Sequence, residues 1–242
     1  MLVACDASQL EWRVLLECSR DTVGIEEVQG GADTHSLNQS AFGLPSRLIA
    51  KIYLFRTIYR GSGYAFANDP EFMQVSTSPQ FWDDIGEKFY KKYHGINSVH
   101  REWADAVVRG EPLVGPTGRV WDISMSRDKR SGNLKIPWTI LTNYPVQGPG
   151  ADVMMIARIS FARRLKTSGI PALLTSTVHD SIVVDCEKQY VQAVVNLFYQ
   201  VFDDLVENIR RTFKYDWIVP LACEVKVGMD MLNMNKVDRS DQ

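Results

Sequence analysis

Two aspartates and one helical stripe carry the residue types in this 242-residue chain that could do phosphate chemistry. Asp6 follows the apolar run at residues 2–5, and Asp180 follows the β-rich run at 173–178 and His179. Each precedes a small residue, Ala7 and Ser181, so each is expected where a strand runs out at a sheet edge. Strands joined in one small sheet would set the two carboxylates side by side. Two acids so placed repel and ionise poorly. Divalent cations between them remove that cost, and two metal ions about 4 Å apart are a general clamp for phosphoryl transfer. Taken singly, either aspartate is more commonly a helix cap or a turn residue.

Arg47, Lys51, Phe55 and Tyr59 follow one another at i, i+4 spacing. Each step rotates by about 40° on a helix, so the four line a slowly winding stripe about 18 Å long. Its first half is cationic and its second aromatic. A nucleoside triphosphate has the complementary pattern, with phosphates for Arg47 and Lys51 and a flat base and sugar for Phe55 and Tyr59. The N-terminus of such a helix adds its own preference for anions. The competing account is a surface helix with basic residues outside and aromatics in the core.

These groups need a framework to hold them. Residues 2–7 read as a short buried strand, 11–20 as a helix, and 47–59 as a helix capped by Ser46 and stopped by Gly61 and Gly63. Amphipathic helices are expected at 81–93 and 99–109, each ended by a glycine. A turn at 116–119 leads into a strand at 120–125 and a polar loop at 126–133. A helix at 151–167 stops at Gly169 and Pro171, and a hairpin with a polar tip carries His179, Asp180 and Ser181. Residues 189–213 form one long helix with an apolar stripe of Val191, Val194, Val195, Phe198, Phe202, Leu205 and Ile209. A strand at 221–227 closes the order, followed by a frayed polar tail from Asn233. Short strands mixed with long helices make the chain α+β, with helices against an antiparallel sheet.

Composition is that of a globular protein with a sizeable core. Cys5, Cys18, Cys186 and Cys223 lack metal-ligand spacing and read as reduced thiols of an intracellular protein, so the expected location is cytoplasmic. No segment is apolar enough for a membrane span, and no membrane partner is expected. The formal charge of −2 excludes a chain that binds nucleic acid by bulk charge. Basic residues nevertheless cluster at 46–61, 119–135 and 153–166.

The motifs in order resemble the family A DNA polymerases. Asp6-Ala7-Ser8-Gln9-Leu10-Glu11-Trp12-Arg13 is similar to the family's first motif, the Arg47-Lys51-Phe55-Tyr59 helix to its second, and Val178-His179-Asp180 to its third. Lesser matches are Asp33-Thr34-His35, Thr117-Gly118-Arg119, and Asn143 with Gln147-Gly148 and Ala151-Asp152. The resemblance runs from residue 2 to about 228. It implies a polymerase palm, a small antiparallel sheet with packed helices, carrying an inserted, mainly helical fingers subdomain. The palm would take residues 1–29 and 111–242, and the fingers 30–110.

Residue roles follow from the resemblance. Asp6, Asp180 and the carbonyl of Ala7 would hold two Mg²⁺ ions, with Mn²⁺ as a substitute. His35, Arg47 and Lys51 would hold the triphosphate, His35 being otherwise an ordinary surface histidine, and Lys51 would protonate the departing pyrophosphate. Glu11, packed under the sugar and bonded to Tyr59, would exclude a 2′-hydroxyl, with Gln9 beside it. Phe55, lacking a ring hydroxyl, would disfavour dideoxynucleotides. Arg13, Asn143, Gln147 and His179 would contact the primer-template. The expected activity is template-directed DNA synthesis from dNTPs on primer-template DNA.

Some positions depart from the pattern. Ser181 stands where the DNA enzymes commonly have a glutamate, and the resulting His-Asp-Ser resembles the single-subunit RNA polymerases, but Glu11 and the Ser8-Gln9 pair favour deoxynucleotides. Arg60 replaces a usual glycine, and Thr139 a minor-groove arginine. With thumb and exonuclease absent from these residues, a second polypeptide is expected to carry the thumb, and an exonuclease where one exists. The chain would then be one half of a split, phage-type enzyme. An RNA polymerase or primase activity, or a non-catalytic nucleic-acid-binding subunit, are the alternatives.

Overall fold

The computed structural model describes residues 1–128 and 131–239. In chain order it runs β1 (Leu2–Ala7), α1 (Leu10–Ser19), α2 (Thr22–Gln29), α3 (Thr34–Phe42), α4 (Arg47–Ile58), α5 (Gly63–Ala67) and α6 (Pro70–Met73). Then come α7 (Pro79–Lys92), α8 (His94–Arg109), β2 (Leu113–Val114), β3 (Val120–Trp121), β4 (Ser126–Arg127) and β5 (Leu134–Lys135). The chain ends with α9 (Trp138–Ser168), β6 (Ala172–Val178), β7 (Ser181–Cys186), α10 (Val191–Asp203), α11 (Leu205–Phe213), β8 (Cys223–Gly228) and β9 (Met234–Lys236). It divides into two compact units, Met1–Glu11 with Gly148–Gln242, and Trp12–Gln147.

The first unit is built on an antiparallel sheet in the order β6-β7-β1-β8-β9. β1 is central because both of its faces are apolar: Val3 and Cys5 are fully buried and Ala4 nearly so. The apolar stripe of α10 packs on β1 and β8, and Phe198 stacks on Phe161 of α9 at 4.0 Å between centroids. A single helix at 189–213 is not what forms. A 3₁₀ turn at Lys188–Tyr190 precedes α10, and Asp204 separates α10 from α11. The stripe is still buried from Val194 to Ile209 on both sides of that break. The tail from Asn233 is not frayed throughout, since β9 pairs with β8 from Lys236↔Lys226 to Met234↔Gly228; residues 240–242 lie outside the described residues.

The second unit is mainly helical. Its core is aromatic: Tyr53, Phe66, Phe72, Trp82 and Phe89 are all at most 2 % exposed. Tyr53 stacks on Trp82 at 5.8 Å, and Phe72 meets Trp82 edge-on at 5.2 Å. Gly63 is required where α5 meets α7, because a Cβ there would collide with the Pro79 carbonyl; its amide instead donates to Asp83 at 2.9 Å. A second cluster of Val107, Leu113, Ile123 and Leu141 is backed by Trp103, Trp121 and Trp138.

Several expected elements shift. The helix at 81–93 begins at Pro79 behind a Ser78 cap and gives way to α8 at His94, with no glycine at its end. α8 begins five residues before 99, and ends at Gly110 in the left-handed conformation. The strand at 120–125 shortens to β3, paired with β2. The 126–133 loop is flanked by the β4–β5 pair, and its residues 129 and 130 lie outside the described residues. The helix at 151–167 starts 13 residues earlier, passing through Pro145 and Pro149. Proline removes a donor and crowds the preceding turn, but both prolines here are buried and burial of Leu141, Val146, Val153, Ala157 and Phe161 along the same helix offsets that cost. Short helices α2, α3, α5 and α6 had no periodic signal long enough to read.

Candidate functional site

In the first unit, β1 ends beside the β6–β7 hairpin. The register pairs Asp6 with Ser181, and the Ala7 amide donates 2.9 Å to the Asp180 carbonyl. This register brings the two aspartates together at one end of the sheet. Asp6 thus sits at the end of the central strand. Val178 pairs with Ser181, leaving His179 and Asp180 as a two-residue turn with His179 at φ 52°. A non-glycine residue in this region is strained, and such strain collects at functional sites. A bulge between Leu174 and Ser176 twists the hairpin just before the turn. Ser8 donates to the Ala222 carbonyl at 2.8 Å, and Gln9 takes φ 52° as the strand turns into α1.

The Asp6 carboxyl is pushed above the ordinary carboxylate range, first by burial and then by Asp180; Lys226 opposes this and Glu224 adds to it. Glu224 lies directly opposite Asp6 on β8 and pairs with Lys226 at 3.0 Å and Lys236 at 3.4 Å. Neither Asp6 nor Asp180 has a side-chain hydrogen bond or ion pair among the described residues. Repelling, half-buried carboxylates without donors suit a hard divalent cation, and the oxygen-only donor set agrees with that choice. Among the described residues no larger cluster of three or more His, Cys, Asp or Glu is placed to hold a metal. Glu224 was not read from the sequence, because only the β1–β8 register sets it opposite Asp6.

In the second unit, Ser46 caps α4 by accepting the Ile49 amide at 3.2 Å. Ala50, Tyr53, Leu54, Thr57 and Ile58 are buried, which leaves the other face of α4 outward. Arg47 and Lys51 are exposed on that face, while Phe55 and Tyr59 are half-buried. α3 packs alongside, and His35 meets Phe55 with ring centroids 6.1 Å apart. His35 is not the surface histidine expected: it is 3 % exposed, and its Nδ1 has no hydrogen-bond partner. Burial makes it harder to protonate, and the charges of Arg47 and Lys51 act the same way, against Asp33.

Asp33 was matched only as part of a motif, yet it is tightly engaged. It accepts from Arg47 Nε at 2.6 Å and Nη2 at 3.0 Å, from Ser36 at 2.6 Å and from the His35 amide at 3.3 Å. Only the packing of α3 on α4 could reveal this.

The remaining residues fall on defined elements. Glu11 and Arg13 lie half-buried in the first turns of α1, and burial pushes the Arg13 guanidinium down. Asn143 and Gln147 share one face of α9, the first half-buried and the second exposed. His179 is exposed at its turn. A separate cavity of about 570 Å³ in the second unit is lined by Arg60, Trp82, Asp83, Tyr90, Lys91 and Asn97, and takes in none of the stripe residues. The four cysteines are free, as expected, though Cys18 and Cys223 are only half-buried. No helix among the described residues is long and apolar enough to cross a membrane.

Comparison with known proteins agrees with the family resemblance. The model of "DNA polymerase family A" matches residues 1–233. A DNA polymerase of Bacillus phage SP01 is 27 % identical over 94 % of this chain and 25 % of its own length. The thermostable DNA polymerase I of Thermus aquaticus is 28 % identical over 96 % of this chain and 27 % of its own. The chain therefore spans about a quarter of the length of these curated relatives. Among solved structures, the POL domain of Pol1 from M. smegmatis, in complex with DNA primer-template and dNTP, shares the fold. Its TM-score is 0.74 at 23 % identity, over 94 % of this chain and 39 % of that one. With the family model matching nearly its whole length, this α+β chain belongs to DNA polymerase family A.

Proposed function

We propose that the chain catalyses template-directed transfer of deoxynucleotides from dNTPs to a primer 3′-hydroxyl. The observation that carries this is the β1–β7 register that brings Asp6 and Asp180 together at one end of the sheet, where burial and then Asp180 raise the proton affinity of Asp6 and neither carboxylate has a side-chain donor among the described residues. Asp6, Asp180 and the Ala7 carbonyl are the assigned ligands for Mg²⁺, with Mn²⁺ as a substitute. Metal bound there would lower the pKa of the primer hydroxyl and neutralise the pyrophosphate.

Residues 1–29 and 111–242 serve as palm, and residues 30–110 as fingers. Exposed Arg47 and Lys51 bind phosphate oxygens, with His35 beside them as a neutral donor. The 3′-hydroxyl gives up its proton to solvent, its oxygen bonds to the α-phosphorus as the bond from the α-phosphorus to the α–β bridging oxygen breaks, and Lys51 gives a proton to the departing pyrophosphate. Phe55 and Tyr59 flank base and sugar, with Glu11 and Gln9 selecting against a 2′-hydroxyl. Arg13, Asn143, Gln147 and His179 hold primer and template.

The test is single-nucleotide primer extension with dNTP or NTP, using the chain alone and with lysate from its source, against Asp180→Ala. Extension by dNTP alone, lost in Asp180→Ala, supports the assignment. Full processive synthesis by the chain alone would overturn the expectation of a second, thumb-bearing polypeptide. Duplex binding without extension under either condition would make the chain a nucleic-acid-binding subunit, and extension by NTP an RNA polymerase.

A further inference from the structure

Arg47 is not free in this structure. Asp33 engages it side-on through both carboxylate oxygens, at 2.6 and 3.0 Å, the geometry in which a guanidinium also takes two oxygens of a phosphate. The Asp33 carboxylate is additionally anchored to its own helix by Ser36 and the His35 amide, so it stays in place if Arg47 leaves. Arg47 and Asp33 are 56 % and 38 % exposed, so a soluble anion can reach the pair, and pairs this exposed are weakly held. Lys51, one turn along the stripe, has no ion pair or hydrogen bond among the described residues. The hydrogen bond from Arg47 also holds the Asp33 carboxyl well below the usual range, so it stays charged across working pH.

We propose that Asp33 is a positioning residue that occupies Arg47 as a resident stand-in for phosphate, so that a triphosphate binds by exchanging one anion for another. The carboxylate keeps the guanidinium aimed along the helix face before substrate arrives and takes it back when pyrophosphate departs. Because it competes with phosphate, it weakens triphosphate binding and speeds release of pyrophosphate. This rests on the assignment of Arg47 and Lys51 to the triphosphate.

Inorganic tripolyphosphate titrated calorimetrically into the full chain at fixed ionic strength tests it. Asp33→Asn and Asp33→Ser both keep a residue that can cap α3 while removing the charge. Both should bind tripolyphosphate more tightly, by up to about fivefold. The gain should vanish when Arg47→Ala is combined with either, and in primer extension Asp33→Asn should lower KM for dNTP and kcat together. A purely structural role for Asp33 would not produce a gain that depends on Arg47. Unchanged or weaker binding in both Asp33 variants, with parent binding still dependent on Arg47, would overturn the exchange while leaving the triphosphate assignment standing. Parent binding indifferent to Arg47→Ala would overturn the assignment and the exchange with it.

Discussion

Arg60 lays its guanidinium 4.1 Å over the ring of Trp138, while its backbone sits at φ 59°. The left-handed backbone costs a non-glycine residue about 1 kcal/mol, and the cation–π contact returns a similar amount. Tyr90 adds a second ring at 5.6 Å. Arg60→Ala keeps the strain and loses the rings, so it should destabilise by about 1 kcal/mol. Arg60→Gly relieves the strain as it loses the rings, and should be close to neutral. Urea midpoints of the two variants separate these terms.

Asp180 raises the proton affinity of Asp6, with burial the larger cause. Without metal, Asp6 takes up a proton in the folded state at a pH where the unfolded chain has lost it. This group's contribution to stability is therefore present below the unfolded pKa and fades as pH rises through the folded value. Asp180→Asn should bring the Asp6 titration down, followed by carboxyl NMR, while primer extension falls by several orders of magnitude.

His100 is fully buried between Tyr90 and Trp103, and neither ring nitrogen has a hydrogen-bond partner. Burial, followed by the charge of Arg60, pushes its pKa down to about 3 from 6.5. Between those values the unfolded chain binds a proton that the folded chain does not. Stability should thus fall by about 1.4 kcal/mol per pH unit as pH drops through that window. His100→Phe keeps the packing and should flatten this slope in denaturant melts at pH 4 to 7.

Tyr93 donates towards both Glu27 Oε2, at 2.8 Å, and Asn38 Oδ1, at 2.7 Å, and Lys92 reaches the same two residues at 2.8 and 2.9 Å. This network ties α2 and α3 to the end of α7. Tyr93→Phe leaves buried acceptors short of a donor and should cost about 1–3 kcal/mol. Thermal unfolding would measure it, with Asn38→Leu as the complementary change.

The site was legible where chemistry is local in the chain. Spacing alone set Arg47, Lys51 and Phe55 along one helix, with Tyr59 as its C-terminal cap, because a helix's period relates residues four apart without help from the rest of the molecule. Apolar runs ending in Asp6 and Asp180 likewise marked the strand ends and the hairpin tip. Pairing partners were not legible, because register between strands more than 170 residues apart depends on which faces the core buries. So it was the folded sheet that set Glu224 opposite Asp6, and the packing of α3 on α4 that placed Asp33 on Arg47 and buried His35. The start of α9 was hidden for a related reason: two prolines and two glycines locally oppose a helix that tertiary burial nonetheless holds together. Residue type and spacing determined which chemistry this protein can attempt, while long-range register and burial decided which charges meet.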